Sequence, residues 1–227
     1  MGKASATRGR REDGANTRAQ ILEAAGRLFA EKGFDRTTAK EIAHSAGVNA
    51  AAVNYHYGGI EGLYQEVLVE AHRRFVSLNA IDSTVAGVGD PREKLRRLIE
   101  LVVQKALGTQ HASSWAVRVL SREFLSPTPH SEPLRRQEIG PKNSIALGLI
   151  ADLLGVPRED PAVARTCFTI AAPFVMLLVA DRQLITSIFP SMAVDTDADA
   201  RAIADHMAEF ALAGIDRIAR ERSGYRD

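Results

Sequence analysis

Apolar residues recur along the chain with the period of a helix. Ile21, Leu22, Ala25, Leu28 and Phe29 fall at i, i+1, i+4, i+7 and i+8, which puts them on one helical face. Asn16 fits an N-cap ahead of this segment, and Gly33, just after Glu31-Lys32, fits a stop. Comparable patterns recur over roughly 61–80, 92–107, 114–125, 133–154, 161–188 and 198–222. Gly, Pro, Asp or Ser punctuation separates them, as at Gly87–Pro91, Ser126–Pro133 and Gly155–Pro161. No run of four or more residues alternates polar and apolar better than it fits the helical template. The pattern predicts an all-α protein.

Residues 37–57 carry the most specific local signals. Thr38-Ala39-Lys40-Glu41 fits a capping box and starts a helix whose buried face is Ile42, Ala43 and Ala46. Gly47 fits a left-handed C-cap that allows a sharp change of direction. Val48 then plugs the angle, Asn49 caps the next helix, and that helix, Ala50 to Tyr57, buries Val53 and Tyr57. Two short helices around a glycine turn form a helix-turn-helix arrangement. The face away from the core offers small residues, Ala50, Ala51 and Ala52, beside the polar tips of Asn49, Asn54, Tyr55 and His56. In such a motif the second helix enters the major groove and its N-terminal residues meet base edges. The N–H groups at Thr38, with its hydroxyl, suit a phosphate. Spacing alone leaves open that the two helices and the aromatic pair around His56 are core packing.

The wording of residues 16–70 resembles the N-terminal domain of the tetracycline-repressor (TetR) family of bacterial transcription regulators. The resemblance runs through Thr17-Arg18-Ala19-Gln20-Ile21-Leu22-Glu23-Ala24-Ala25, Leu28-Phe29-Ala30-Glu31-Lys32-Gly33-Phe34, Thr37-Thr38 and Glu41-Ile42-Ala43. It continues through Ala46-Gly47-Val48, Val53-Asn54-Tyr55-His56-Tyr57 and Glu61-Gly62-Leu63-Tyr64. The resemblance implies a three-helix DNA-binding domain over 14–60 and a larger helical ligand-binding and dimerisation domain over 61–227, behind a basic tail over 1–13. It implies Thr38 and Tyr55 on phosphates, and Asn49, Ala50, Ala51 and His56 at bases and adjoining backbone. Lys40 and Asn54 complete the expected DNA-binding set. Relatives usually read Gly/Pro-Ser-Lys-Glu after the recognition helix, whereas this chain reads Gly58-Gly59-Ile60-Glu61. The missing Ser removes an N-cap. The missing Lys removes a phosphate contact, worth about one unit of salt slope. Leu120-Ser121-Arg122-Glu123 with Ser126-Pro127-Thr128-Pro129 resembles a CecR-like branch of the family.

Composition narrows the classes. The chain has 227 residues, 45% hydrophobic and 25% charged, as in an ordinary globular protein. Its net charge is only +1, so no global field marks a nucleic-acid or membrane partner. Residues 1–57 hold nine Lys/Arg against six Asp/Glu, and Lys3, Arg8, Arg10 and Arg11 lie in the tail, which lacks apolar periodicity and reads as unstructured when free. That tail is expected to compensate for the missing Lys. The one cysteine, Cys167, excludes a disulfide framework and a multi-cysteine zinc site. His111 and His130 have no partner at metal-ligand spacing, so neither metal nor cofactor is expected. The first twenty residues have no apolar signal core, and the longest uncharged stretch, Thr166–Ala180, has fifteen residues, short of the roughly 17–25 that span a bilayer. A cytoplasmic protein without a membrane partner is expected. Enzymatic chemistry lacks its constellation: Gly87-Val88-Gly89 is no dinucleotide loop, and Ser113-Ser114 near His111 lack a partner acid.

Candidate ligand residues are Trp115, Arg118, Arg122 and Phe168. Arg118 and Arg122 share a helix face at i, i+4, and two guanidinium forks suit an anionic ligand. Alternatively they pair internally with Glu123, Glu138 or Asp181, and Phe168, Phe174 and Met176 also read as core. Pro173 lies inside a nearly all-apolar helix, expected to be bent and buried on most sides. The last helix mixes Ile203, Met207, Phe210 and Ile215 with Ala211 and Gly214, suited to close packing across a two-fold axis. A homodimer through the helices near 163–188 and 198–222 would set two reading heads about 34–36 Å apart on a palindromic operator. The functional expectation is a repressor released from operator DNA by a small-molecule effector. The alternative is a DNA-bound adaptor controlled by a protein partner.

Overall fold

The structure, a computed structural model, describes residues 3–108 and 114–223. Its helices are α1 (Lys3–Lys32), α2 (Ala39–Ser45), α3 (Ala51–Tyr57), α4 (Ile60–Phe75), α5 (Leu78–Val85), α6 (Pro91–Leu107) and α7 (Trp115–Leu125). There follow α8 (Glu132–Leu134), which runs through a π turn at Arg135–Ile139 into α9 (Gly140–Leu154), then α10 (Pro161–Val179), α11 (Arg182–Ile188) and α12 (Asp197–Ser223). No strand occurs among the described residues. His111 and Ser113 lie outside them.

Several boundaries differ from expectation. Asn16 is interior to α1 rather than its cap, because the helix is already formed from Lys3. The stretch read as an irregular tail contains Lys3, Ala4, Ala6, Arg8, Arg10, Arg11 and Glu12 without a proline, all good helix formers, so it extends α1. The single pattern over 61–80 divides at Val76, which is extended, and the Ser77 side chain accepts from Ala80 N–H at 3.1 Å to start α5. The pattern over 161–188 divides at Ala180, also extended, where the Asp181 side chain accepts from Leu184 N–H at 2.9 Å and caps α11.

Two apolar cores result. The first joins Ile21, Ala25 and Phe29 of α1 to Ile42, Val53, Leu63, Val67 and Leu68, and takes in Val119 and Leu120 from α7. The reading head therefore shares its core with α4 and α7. The second gathers Ile99 and Val103 of α6, Ile150 and Leu154 of α9, Val163 of α10 and Ala204, Leu212 and Ile215 of α12. Arg92 clasps Asp216 through two bonds of 2.6 and 3.0 Å, fixing α6 against α12. Phe75, at the end of α4, packs against both cores.

The apolar helix α10 corrects another expectation. Within one chain it is not buried on most sides: only Ala162, Val163, Thr166 and Leu177 are. Phe168 and Met176 are exposed, as is Phe210 on α12, and the space above Gly214 is open. The helix is itself 19 residues, long and apolar enough by length and composition to cross a membrane. The fifteen-residue count of uncharged positions therefore understated it. Its packing against α6, α7 and α9 marks it as an element of the second core.

Candidate nucleic-acid interface

The head is built from local chemistry. Thr38 closes a capping box on α2: its hydroxyl accepts from Glu41 N–H at 3.2 Å, and the Glu41 carboxylate accepts from Thr38 N–H at 2.9 Å. The Thr38 hydroxyl also donates to Glu41 Oε2 at 2.9 Å, so a phosphate here would replace that bond. Lys32 Nζ stands 2.9 Å from Glu41 Oε1. The lysine bond and the Thr38 N–H hold the Glu41 carboxyl down at about 2. Beyond α2, Val48 N–H reaches Ala43 C=O at 2.9 Å and Gly47 N–H reaches His44 C=O at 3.1 Å. These two bonds form a Schellman motif, which needs a left-handed residue at its centre, and Gly47 supplies it with φ of 68°. Val48 then packs on the core between the helices.

Asn49 Oδ1 accepts from Ala51 N–H at 2.9 Å and so starts α3 as expected. Val53 and Tyr57 face inward. The Tyr57 hydroxyl donates to Arg18 C=O at 2.6 Å, while the Arg18 guanidinium lies 5.0 Å from the centre of its ring. Burial pushes the Tyr57 hydroxyl up to about 12, so near neutral pH it keeps its proton and donates to α1. The opposite face is presented to solvent: Lys40, Asn49, Ala50, Ala51 and Asn54 are exposed, and Tyr55 is 85% exposed. The Tyr55 and His56 rings meet edge to face at 4.9 Å, His56 being half-buried. Ala52 is the exception among the three alanines, since it packs on the core. Of the eight expected DNA-binding residues, seven are exposed and His56 is half-buried, and all lie on α2, α3 or the residues that cap them.

The Gly59-Ile60 departure has two structural consequences. Gly59 is the N-cap of α4 and offers no side-chain bond. Ile60, at the place of the usual lysine, packs on the first core instead of reaching outward. A third feature depends on contact between α3 and α4. A Cβ on Gly62 would lie 2.1 Å from Tyr57 C=O, so only glycine lets α4 start this close to the end of α3.

The four residues expected at a ligand do not converge on one site, though Arg118 and Arg122 border one cleft. Trp115 is a clamp between the head and the rest. Its indole N–H donates to Glu23 Oε2 of α1 at 3.0 Å, its ring covers Gly26, and the Arg74 guanidinium lies 4.9 Å from the ring centre. Burial alone would raise the Glu23 carboxyl, but the bonds from Arg74 and Trp115 bring it below its ordinary value. Arg122 donates to Ala30 C=O and Glu31 C=O, both at 2.9 Å, and so closes the carbonyl end of α1. Arg118 is exposed beside it, at a polar cleft also bordered by Asp181 and Arg182. Phe168 points outward from α10, 75% exposed. The internal partners considered for the arginines are taken: Glu123 accepts from Tyr64 and Thr128, and Glu138 from Arg73 and Lys142.

An apolar cavity of about 310 Å³ opens instead among α4, α5, α6, α9 and α10. Phe75, Leu98, Val102, Ile145, Leu149 and Phe174 form much of its wall. Its polar lining is His72, Lys142, Asn143 and Cys167. Lys142 Nζ lies 2.7 Å from buried Glu138 and 2.8 Å from His72 Nδ1. Burial, reinforced by the Lys142 charge, lowers His72 to about 4, so its ring is neutral near pH 7. Nothing in the spacing of His72 and Lys142, 70 residues apart, could have linked them beforehand.

Residues 21–67 match the family described as bacterial regulatory proteins, tetR family, and residues 91–215 match the C-terminal domain of the HTH-type transcriptional dual regulator CecR. CecR of Shigella flexneri is 30% identical over 156 residues, 65% of this chain and 69% of that protein. The probable HTH-type transcriptional regulator YttP of Bacillus subtilis is 30% identical over 108 residues, 48% of this chain; the match spans about half of YttP, 50%. Among solved structures, AibR in complex with isovaleryl coenzyme A and operator DNA superimposes with a TM-score of 0.60 at 19% identity, over 86% of this chain and 97% of AibR. At that identity the likeness is one of fold.

Proposed function

The chain belongs to the tetR family of bacterial regulatory proteins, with a CecR-type C-terminal domain, and on that premise we propose that it is a ligand-responsive repressor acting at a palindromic operator in the cytoplasm. The observation that carries the DNA reading is the solvent face of α3. Small Ala50 and Ala51 let the backbone approach a groove floor, and Asn49, Asn54 and the protruding Tyr55 supply hydrogen-bonding tips around them. Lys40 and Thr38 flank that face where phosphates would run.

A palindromic site needs two heads, and the uncovered apolar surface supports a homodimer. Phe168 and Met176 on α10 and Phe210 beside Gly214 on α12 offer large and small residues for close packing of a second copy. The effector reading moves from Trp115, Arg118, Arg122 and Phe168 to the apolar cavity, because the first and third of those residues are committed to α1 and Phe168 faces away. The cavity also favours a small molecule over a protein-controlled adaptor. Helix α4 supplies the mechanical link. Its first turn abuts Tyr57 at the end of the recognition helix, and His72 and Phe75 in its last turn line the cavity, about 20 Å away at 1.5 Å per residue. A ligand that shifts the end of α4 therefore moves the heads, with a coupling free energy of about 1–3 kcal/mol.

Selection of bound duplexes from a random library tests this reading. The expected product is a palindrome with half-site centres about one helical turn apart, bound with affinity that falls steeply with salt. Failure of a folded, dimeric preparation to enrich any duplex would contradict it.

A further inference from the structure

The polar groups on the cavity wall are those of His72, Lys142, Asn143 and Cys167, and donors outnumber acceptors among them. Lys142 has three ammonium protons, and the contacts to Glu138 Oε2 and His72 Nδ1 use two. Because an ammonium can only donate, His72 Nδ1 must accept, which puts the ring proton on Nε2 as a free donor. Asn143 Oδ1 faces the Cys167 thiol at 3.7 Å, leaving its amide N–H groups. The carboxylate nearby, Glu138, is not part of the cavity wall and is bound by both Arg73 and Lys142. Arg73 is also paired with Glu70, so these two residues with Glu138 and Lys142 sum to zero charge, and Lys142 is the cation that stands on the cavity wall itself. The rest of the wall is apolar.

Resting on the reading of this cavity as the effector site, we propose that the effector is a small amphipathic monoanion: an apolar body carrying one carboxylate, received by Lys142, His72 and Asn143. A carboxylate is an acceptor without protons and complements a set of donors. An amine would place a second cation against Lys142, and a hydroxyl would use one donor and leave its own proton unpaired. Desolvated charge-assisted bonds are also roughly twice as strong as neutral ones, so the head group decides affinity where the apolar body only contributes area. His72 stays a neutral donor near pH 7, as noted above, so its role is steady under those conditions. Because Glu138 and the ligand then share Lys142, occupancy bears directly on the contact between α9 and the end of α4.

The test uses the full-length protein and N-phenyl-1-naphthylamine, a neutral fluorescent probe of apolar cavities, displaced at pH 7.5 by decanoate, decan-1-ol or decylamine. Decanoate is expected to displace the probe at a concentration about tenfold lower than decanol, with decylamine weakest. In Lys142→Met, with displacement read against that variant's own probe affinity, decanoate and decanol are expected to come together. Equal displacement by decanoate and decanol from the wild-type protein overturns the anion proposal while leaving the cavity as the effector site. Retention of the decanoate preference in Lys142→Met overturns it equally, since the head group would then lie elsewhere. No probe binding by the wild-type protein overturns both the proposal and the effector reading beneath it.

Discussion

Gly62→Ala is expected to lower the thermal midpoint by about 2–12 °C and to abolish tight operator binding, although alanine is the better helix former. Intrinsic propensity favours alanine by about 1 kcal/mol within a helix. At this position the added Cβ would stand 2.1 Å from Tyr57 C=O and 3.3 Å from Tyr57 C, both backbone atoms that cannot swing aside. Tyr57 is itself tied to α1 through Arg18 C=O, so relief requires moving α3 or α4 bodily. Overpacking of this kind costs about 1–3 kcal/mol, and in a domain of this size each kcal/mol moves the midpoint by about 2–4 °C. The shift of α3 also takes Tyr55 and Asn54 out of register with their groove. A Gly62→Ala protein as stable as the parent, with unchanged DNA affinity, would show that α3 and α4 do not meet as described.

The second large effect is expected at Trp115. Trp115→Ala should cost about 3 kcal/mol, the low end for truncating a tryptophan because this one is half-buried. It removes the ring that covers Gly26, the bond to Glu23 and the surface under Arg74 at once. Since that ring joins α1, α4 and α7, the loss should fall on the junction between the head and the remainder, and calorimetry should resolve the melting into two transitions where the parent shows one. Gly26→Ala offers an independent approach to the same contact, as its Cβ would meet the indole at 2.6 Å. Trp115 is also the chain's one tryptophan, so its fluorescence reports the junction directly. A single transition with less than about 1 kcal/mol lost would mean that Trp115 is no clamp.

Which of these features the sequence disclosed follows from the range of the interactions. The capping box at Thr38 and Glu41, the Schellman turn at Gly47 and the Asn49 cap each close within six residues, and each could be read from residue types in order. The roles of Trp115 and Arg122 could not. Their i, i+4 and i, i+3 neighbours define a face, but that face meets Glu23 and Ala30, each 92 residues away. Arginines on one side of a helix look the same whether they await a ligand or close the end of another helix. The polar end of the cavity has the same character, being assembled from α4 and α9. Helix α10 shows a different limit. Its apolar composition announces a surface in need of cover, but hydrophobicity does not say where that cover comes from, and within this chain much of the helix is left exposed. Asp181 is the instructive case in between: it is a plain N-cap residue, and the long apolar pattern around it concealed the break.

If the exposed start of α3 reads DNA, one substitution there separates DNA binding from folding. Ala51 is exposed, makes no contribution to either core, and opens α3, so Ala51→Glu places a carboxylate at a helix N-terminus where it stabilises by about 0.3–1 kcal/mol. The same carboxylate would face the groove floor and its phosphates. Operator affinity of Ala51→Glu should therefore fall by at least about tenfold, ~1.4 kcal/mol, while its thermal midpoint holds or rises. Undiminished affinity in the folded variant would mean that the start of α3 lies away from the DNA.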